Sequence, residues 1–254
     1  PGGTGSIELD GTALSSYPDS STFVYGASVN LEAIPASGYE FAHWSGDLSG
    51  TENPATIAMD SDKEVVAYFT QITYILTVDV GPGGTGSIEL DGAALSSYPA
   101  SSTFVWGASV NLEAIPTSGY EFAQWGGDLS GSTNPISIVM DGNKIITANF
   151  AQITYALTVD VSPGGAGSIE VDGTAFSSYP APSTFVYGAS VNLEAIPASG
   201  HEFAHWGGDL SGSTNPTSVV MDGKKTITAD FTQITYTLTV DVSPGGAGSI
   251  EVDG

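Results

Sequence analysis

Cysteine and arginine are both absent from this 254-residue chain, and lysine occurs only at Lys63, Lys144, Lys224 and Lys225. Without cysteine there is no disulfide framework, no thiolate nucleophile and no cysteine-ligated metal. Acidic residues number 28 and the formal net charge is −24. Phosphate recognition needs a positive surface, so nucleic acid is excluded as a partner class, and anionic membrane surfaces are disfavoured for the same reason. No apolar run approaches the length of a membrane span, so no membrane insertion is expected of this segment. An export signal would lie outside these residues. No stretch combines a sustained 3.6-residue hydrophobic period with helix caps, which removes helices from the expected inventory.

What is present is a repeat. Pro-Gly-Gly occurs at Pro1, Pro82, Pro163 and Pro244, a constant step of 81 residues. Trp44, Trp125 and Trp206 keep the same step, as do Met59, Met140 and Met221. Residues 82–162 and 163–243 differ at 16 of 81 positions. Copies so alike point to recent duplication, so sameness between them is weak support for any residue's importance. Divergence is the informative signal, because it shows what the unit tolerates. The expected divisions are 1–73, a unit lacking its first strand; 74–154 and 155–235, complete units; and 236–254, the first hairpin of a further unit. A unit of this size buries one modest core and has little room for a deep active site.

Within 74–154, Tyr74, Leu76, Val78 and Val80 alternate with Ile75, Thr77 and Asp79, a half-buried strand pattern. Pro82-Gly83-Gly84-Thr85-Gly86 is a glycine-rich turn, followed by a second alternation at Ile88 and Leu90. The short loop leads to the expectation that these two strands pair as an antiparallel hairpin. Asp91-Gly92 signals a tight turn. Residues 93–103 read as a connection. Val110, Leu112 and Ala114 form one strand face, Tyr120 to Trp125 another strand, and Ile136, Ile138 and Met140 a third. Asp141-Gly142-Asn143-Lys144 reads as a hairpin turn before Ile146, Ala148 and Phe150. About six strands per unit imply an all-β fold, a β-sandwich, half-open barrel or β-grasp-like domain. The expected core is Leu76, Val78, Ile88, Leu112, Phe122, Trp125, Met140, Ile146 and Phe150. Joints as short as residues 151–154 predict a semi-rigid rod.

The run Tyr155-x-Leu-Thr-Val-x-Val, Pro163-Gly-Gly-x-Gly, Tyr187-Gly-x-x-Val191-x-Leu193-x-Ala195-x-Pro197, His201-x-Phe203-x-x-Trp206-Gly-Gly-Asp209-x-Ser-Gly-x-x-Asn215-Pro216 and Met221-Asp222-x-x-Lys225-x-Ile-x-Ala229-x-Phe231 resembles the divergent internalin B-repeat family. The resemblance covers the whole chain, unit by unit. It departs at His201, where Tyr39 and Tyr120 stand in the other units, and at Gly207, where Ser45 gives Trp-Ser-Gly-Asp. It implies a cell-surface or extracellular location in a prokaryote and a scaffold or adhesion role. It carries over no catalytic residue.

Candidate chemistry is weak by comparison. The position of His43 and His205 is Gln124 in the middle unit, and that of His201 is Tyr39 and Tyr120, so no histidine recurs as a general base. Glu32 and Glu40, repeated as Glu113 and Glu121 and as Glu194 and Glu202, read as a solvated sheet face rather than a glycosidase pair. Asp47, Asp128 and Asp209 lie in glycine-rich loops and are candidate calcium ligands, against the alternative of turn aspartates bonded to backbone. Asp60 and Asp62 sit two apart in a turn, but Asp62 becomes Asn143 and then Lys224, which repels a cation. Tyr25, Trp106 and Tyr187 share one position and Tyr17, Tyr98 and Tyr179 another. Either row could stack on sugar rings or pack on the core. Pro-Gly-Gly-x-Gly leads into a strand, so it is no phosphate loop.

Two function classes remain: a stalk, fibre or filament without catalysis, and a multivalent adhesin or glycan-binding array. No cofactor is expected. Expected partners are further copies of the chain, head to tail, and glycans or other surface proteins. The copy contact is expected between Tyr236, Leu238, Val240 and Val242 and an unpaired edge at Ser6, Ile7, Glu8 and Leu9.

Overall fold

Apolar–polar alternation becomes, in the computed structural model, a succession of short strands with no helix among the described residues, which are 3–241, 248 and 251. Pro1–Ala151 forms one compact unit and Gln152–Gly254 another. In the first repeat β1 (Gly5–Leu9), β2 (Thr12–Ala13), β3 (Ser28–Pro35) and β5 (Ala55–Ala58) make one sheet in the order β2-β1-β3-β5, while β4 (Tyr39–Gly46) pairs with β6 (Val65–Gln71).

The second repeat has eight strands. They are β7 (Thr73–Gly81), β8 (Gly86–Leu90), β9 (Ala93–Ala94), β10 (Ala100–Val105), β11 (Ser109–Pro116), β12 (Tyr120–Gly127), β13 (Ile136–Val139) and β14 (Lys144–Gln152). They form two four-stranded sheets, β9-β8-β11-β13 and β10-β7-β14-β12. The third repeat has the same plan. There β15 (Thr154–Ser162), β16 (Gly167–Val171), β17 (Thr174–Ala175), β18 (Ala181–Val186), β19 (Ser190–Pro197), β20 (His201–Gly208), β21 (Thr217–Val220) and β22 (Lys225–Gln233) are ordered β17-β16-β19-β21 and β18-β15-β22-β20. Each complete repeat is thus a β-sandwich, as its alternating faces imply.

The core lies between the layers. Leu76, Val78 and Val80 of β7 and Ile146, Ala148 and Phe150 of β14 are buried with Ile88, Val110, Leu112, Ala114 and Met140. Phe122 packs against this cluster. Trp44, Trp125 and Trp206 are 1–2% exposed, as the core assignment requires. The central strand β7 runs parallel to β14, with Val78 opposite Ile146 and Val80 opposite Ala148, and antiparallel to β10. The first and last strands of a repeat therefore lie side by side.

Several expectations are corrected by this topology. β7 and β8 are not a hairpin; they belong to different sheets. Residues 82–85 carry the chain from one layer to the other, so that Val78 and Ile88 meet in one core instead of lying on one face. The segment Asp141-Gly142-Asn143 is likewise a crossing from β13 to β14, in opposite sheets, and not a hairpin turn. The expected connection over 93–103 contains β9 and most of β10. A true hairpin does form at Asp91-Gly92, where both residues take positive φ, 49° and 79°, as a two-residue turn between β8 and β9 demands.

The expected open edge at Ser6, Ile7, Glu8 and Leu9 is not there. β1 is paired on one side with β2 and on the other with β3, with Ser6 opposite Ile34 and Leu9 opposite both Leu31 and Thr12. The strand that complete repeats have and residues 1–73 lack belongs to the other sheet. Of the hairpin expected at 236–254, residues 236–240 are exposed and outside any strand, and Val242 with most of the remainder lies outside the described residues.

The glycine that opens each β1-type strand is fixed by a close approach. A Cβ on Gly86 would stand 2.3 Å from Cζ of Phe150, and one on Gly167 would stand 2.5 Å from Cζ of Phe231. Gly86→Ala should therefore overpack the sandwich and cost about 1–3 kcal/mol. Denaturant unfolding checks this, and a Gly86→Ala/Phe150→Leu double variant should lose less than Gly86→Ala alone relative to its Phe150→Leu parent.

Candidate functional site

Polar side chains recur at the sandwich ends, and their hydrogen bonds go to the chain's own backbone. Asp128 accepts the amide of Ile145 through Oδ2 at 2.7 Å, while its own amide donates to the Ile145 carbonyl at 2.8 Å. Asp47 does the same with Glu64, and Asp209 with Thr226. These are backbone-bonded turn aspartates, which pin the loop after β4, β12 or β20 to the start of the neighbouring strand. Among the described residues there is no cluster of three His, Asp or Glu side chains placed to hold a metal ion.

A second clamp crosses the core rim. Asn134 Oδ1 accepts the Ala114 amide at 2.8 Å and its Nδ2 donates to the Ala114 carbonyl at 2.7 Å. Asn53 grips Ala33 and Asn215 grips Ala195 in the same way. The side chain supplies both bonds that another strand would have made. Beside it, Trp125 Nε1 donates to the Thr133 carbonyl at 2.9 Å, so the indole is buried with its donor satisfied.

The tyrosine row is a third clamp. The Ile88 amide donates to Tyr98 Oη at 2.5 Å, and the hydroxyl donates back to the Ile88 carbonyl at 3.2 Å. Tyr17 and Tyr179 hold Ile7 and Ile169 alike. Sequence reasoning offered sugar stacking or core packing for this row and missed the hydroxyl's role. The constant ten-residue offset from the strand isoleucine was the available signal.

The turn aspartates Asp60, Asp141 and Asp222 pair with Lys63, Lys144 and Lys225 at 2.6, 2.6 and 2.7 Å. The hydrogen-bonded lysine holds each carboxyl below its ordinary range. These exposed pairs are present at neutral pH and are lost as the pH falls through the lowered values. Three of the four lysines are thereby used inside their own turns.

The histidines stand apart from these clamps. His43 stacks on Tyr68 with ring centroids 4.8 Å apart, and His205 Nε2 lies 3.6 Å from Asp230. Both are cross-strand neighbours on an outer sheet face. Glu113 lies directly opposite Glu89 on β8, and Glu121 is in the other sheet, so the sequence pair Glu113 and Glu121 is not brought together. Glu32 faces Glu8 and Glu194 faces Glu170 in the same manner.

Of the aromatic row Tyr25, Trp106 and Tyr187, Trp106 lies at a joint between repeats. In Pro1–Ala151 the Trp106 amide donates to the Ile72 carbonyl at 2.9 Å, and the Ile72 amide donates to the Gly38 carbonyl at 2.8 Å. Trp106 covers Gly38 of the preceding repeat so closely that a Cβ there would lie 3.2 Å from its ring. Trp106 and Tyr187 are 44% and 41% exposed, against 86% for Tyr25.

Clamped two-sheet sandwiches repeated in tandem define an all-β repeat domain. The model of the divergent InlB B-repeat domain matches residues 4–73, 76–154 and 157–235, and the chain belongs to that family. No curated protein matches it. Among solved structures it is similar to the Bacillus anthracis TIE protein, at 8% identity and TM-score 0.41, over 89% of this chain and 47% of that one. The chain thus spans less than half the length of that relative. It is also similar to the major pilin T-13 of Streptococcus pyogenes, at 11% identity and TM-score 0.31, over 64% of this chain and 97% of the pilin. Two B repeat units of the collagen binding protein of Staphylococcus aureus match at 10% identity and TM-score 0.15, over 91% of this chain and 70% of theirs. At these TM-scores none of the three bears on what the chain does.

Asn134→Ala should leave the Ala114 amide and carbonyl unpaired at the core rim and cost about 1–3 kcal/mol of the second repeat's stability. Glu89→Lys should replace a like-charge cross-strand pair with an opposite-charge one and gain about 0.2–1 kcal/mol, less at high salt. Denaturant unfolding at low and high ionic strength measures both. Excess chelator should leave the melting temperature unchanged, because the carboxylates of Asp47, Asp128 and Asp209 are already bonded to backbone amides.

Proposed function

We propose that the chain is a non-catalytic segment of an extracellular prokaryotic array whose repeats act as spacers in a stalk or fibre. One observation carries the proposal. The polar side chains at the Asp47, Asn53 and Tyr17 positions are spent on the chain's own backbone in every repeat, and no histidine recurs at one position through all three. A unit whose polar side chains close its own loops and rims is built for shape. The net charge of −24 supports a solvated, self-repelling surface. Occurrence of the family in tandem in surface and secreted proteins supports the location.

The half-exposed aromatic row at Trp106 and Tyr187 favours a second reading, a multivalent glycan-binding array. A glycan array probed with the 254-residue chain separates the two. The spacer reading expects no retained glycan. Retention that is lost on Trp106→Ala/Tyr187→Ala, with folding intact by circular dichroism, overturns it in favour of adhesion.

A further inference from the structure

One sheet edge of the second repeat is left open. In the sheet β10-β7-β14-β12, the strand β10 pairs only with β7. No proline, charged residue or bulge interrupts it. Just beyond this strand pair the Trp106 amide donates to the Ile72 carbonyl. An antiparallel ladder alternates, so Phe104 and Ser102 turn their main-chain groups toward β7, while Ser101, Thr103 and Val105 turn theirs outward. The Val105 carbonyl is taken by the Ala108 amide at 3.1 Å. Among the described residues nothing bonds the outward amides and carbonyls of Ser101 and Thr103, and both residues are exposed.

The other edges of the complete repeats are short, covered or blunted. β9 has two residues and β13 four. β12 carries Glu121, and its Trp125 amide is taken by the Gly131 carbonyl at 2.8 Å. In the third repeat β18 matches β10 at every position but one, where Pro182 replaces Ser101. The Tyr187 amide donates to the Ile153 carbonyl at 2.9 Å, so the same alternation makes 182 an outward position. Proline there removes the outward donor, an ordinary protection of an edge strand. Ser101 keeps that donor. Charge points the same way. The chain has a net charge of −24, yet residues 92–112 carry no charged side chain.

We propose that β10 is a self-association edge and that β10 of a second copy of the chain pairs with it antiparallel. Ser101 of one copy lies opposite Thr103 of the other, and each such pair exchanges both of its main-chain bonds. Ser102 meets Ser102 across the two-fold axis, so the close, non-bonded position falls on a small side chain. The sheet β12-β14-β7-β10 then continues into its copy. The same patch serves both copies, so the contact is isologous and closes as a dimer. Charge selects the occupant. A basic partner is drawn to the acidic faces, whereas two copies of β10 meet where neither carries charge. The pairing joins copies side by side through the second repeat and is independent of the choice between spacer and adhesin.

Sedimentation velocity of the 254-residue chain, over concentrations up to about 1 mM because one strand pair is a small contact, tests this. The wild type should approach twice the monomer mass and stop there. Association should be stronger in high salt, which screens the charge of −24 on each copy. Ser101→Pro installs the residue that the fold already accepts at 182. It should stay at the monomer mass with an unchanged circular dichroism spectrum. Pro182→Ser gives the third repeat the same edge and should carry assembly past the dimer. The proposal is overturned by a wild type that is monomeric at every concentration and salt, or that itself grows past the dimer. It is equally overturned by a Ser101→Pro chain that dimerises like wild type, or by a Pro182→Ser chain that assembles no further than wild type.

Discussion

The parallel pairing of a repeat's first strand with its last is the constraint from which the rest follows. β7 and β14 lie side by side at the centre of one sheet, so the repeat encloses its core only when both ends of its sequence are in place. Leu76, Val78 and Val80 reach across to Ile88 and Leu112 of the opposing sheet. Burying each such side chain is worth about 1.5–3 kcal/mol, a large share of the stability of a unit this small. The clamps serve the same enclosure. Asn134 ties the loop before β13 to β11, Asp128 ties the loop after β12 to β14, and Tyr98 ties the segment before β10 to β8. The Asn134 and Tyr98 bonds satisfy part-buried backbone groups, and the Asp128 bond closes an exposed loop.

The natural comparison lies within the molecule. Residues 19–24 and 100–105 differ only at Asp19 and Ala100, yet 100–105 is the strand β10 and 19–24 is not. The difference is the neighbour: β10 has β7 to pair with. Strand formation at this Ser- and Thr-rich segment is therefore a consequence of the edge beside it, as expected where β-propensity depends on context.

That comparison also explains what was legible in the sequence. The period of 81 residues, the all-β class and the core membership of Trp125, Met140, Ile146 and Phe150 could all be read, because alternation states which face of a strand is buried. Alternation does not state which strand lies alongside. The Pro82-Gly83-Gly84 loop is as short as a hairpin loop, but it crosses between layers, and so the partners of β7 and β1 were assigned to the wrong sheet. The Asp47, Asp128 and Asp209 row was recognised with its backbone-bonded alternative, which is the geometry found. The bidentate grip of Asn134 was invisible because its partner, Ala114, lies 20 residues away and has no side chain to advertise the contact.

Amide hydrogen exchange, resolved by repeat in the 254-residue chain at low concentration, tests most directly whether the central strand closes each sandwich. The account predicts strong protection for residues 146–150 and 227–231 and markedly faster exchange for 65–69, whose counterpart strand is not alongside. Equal protection of all three segments under those conditions would contradict it.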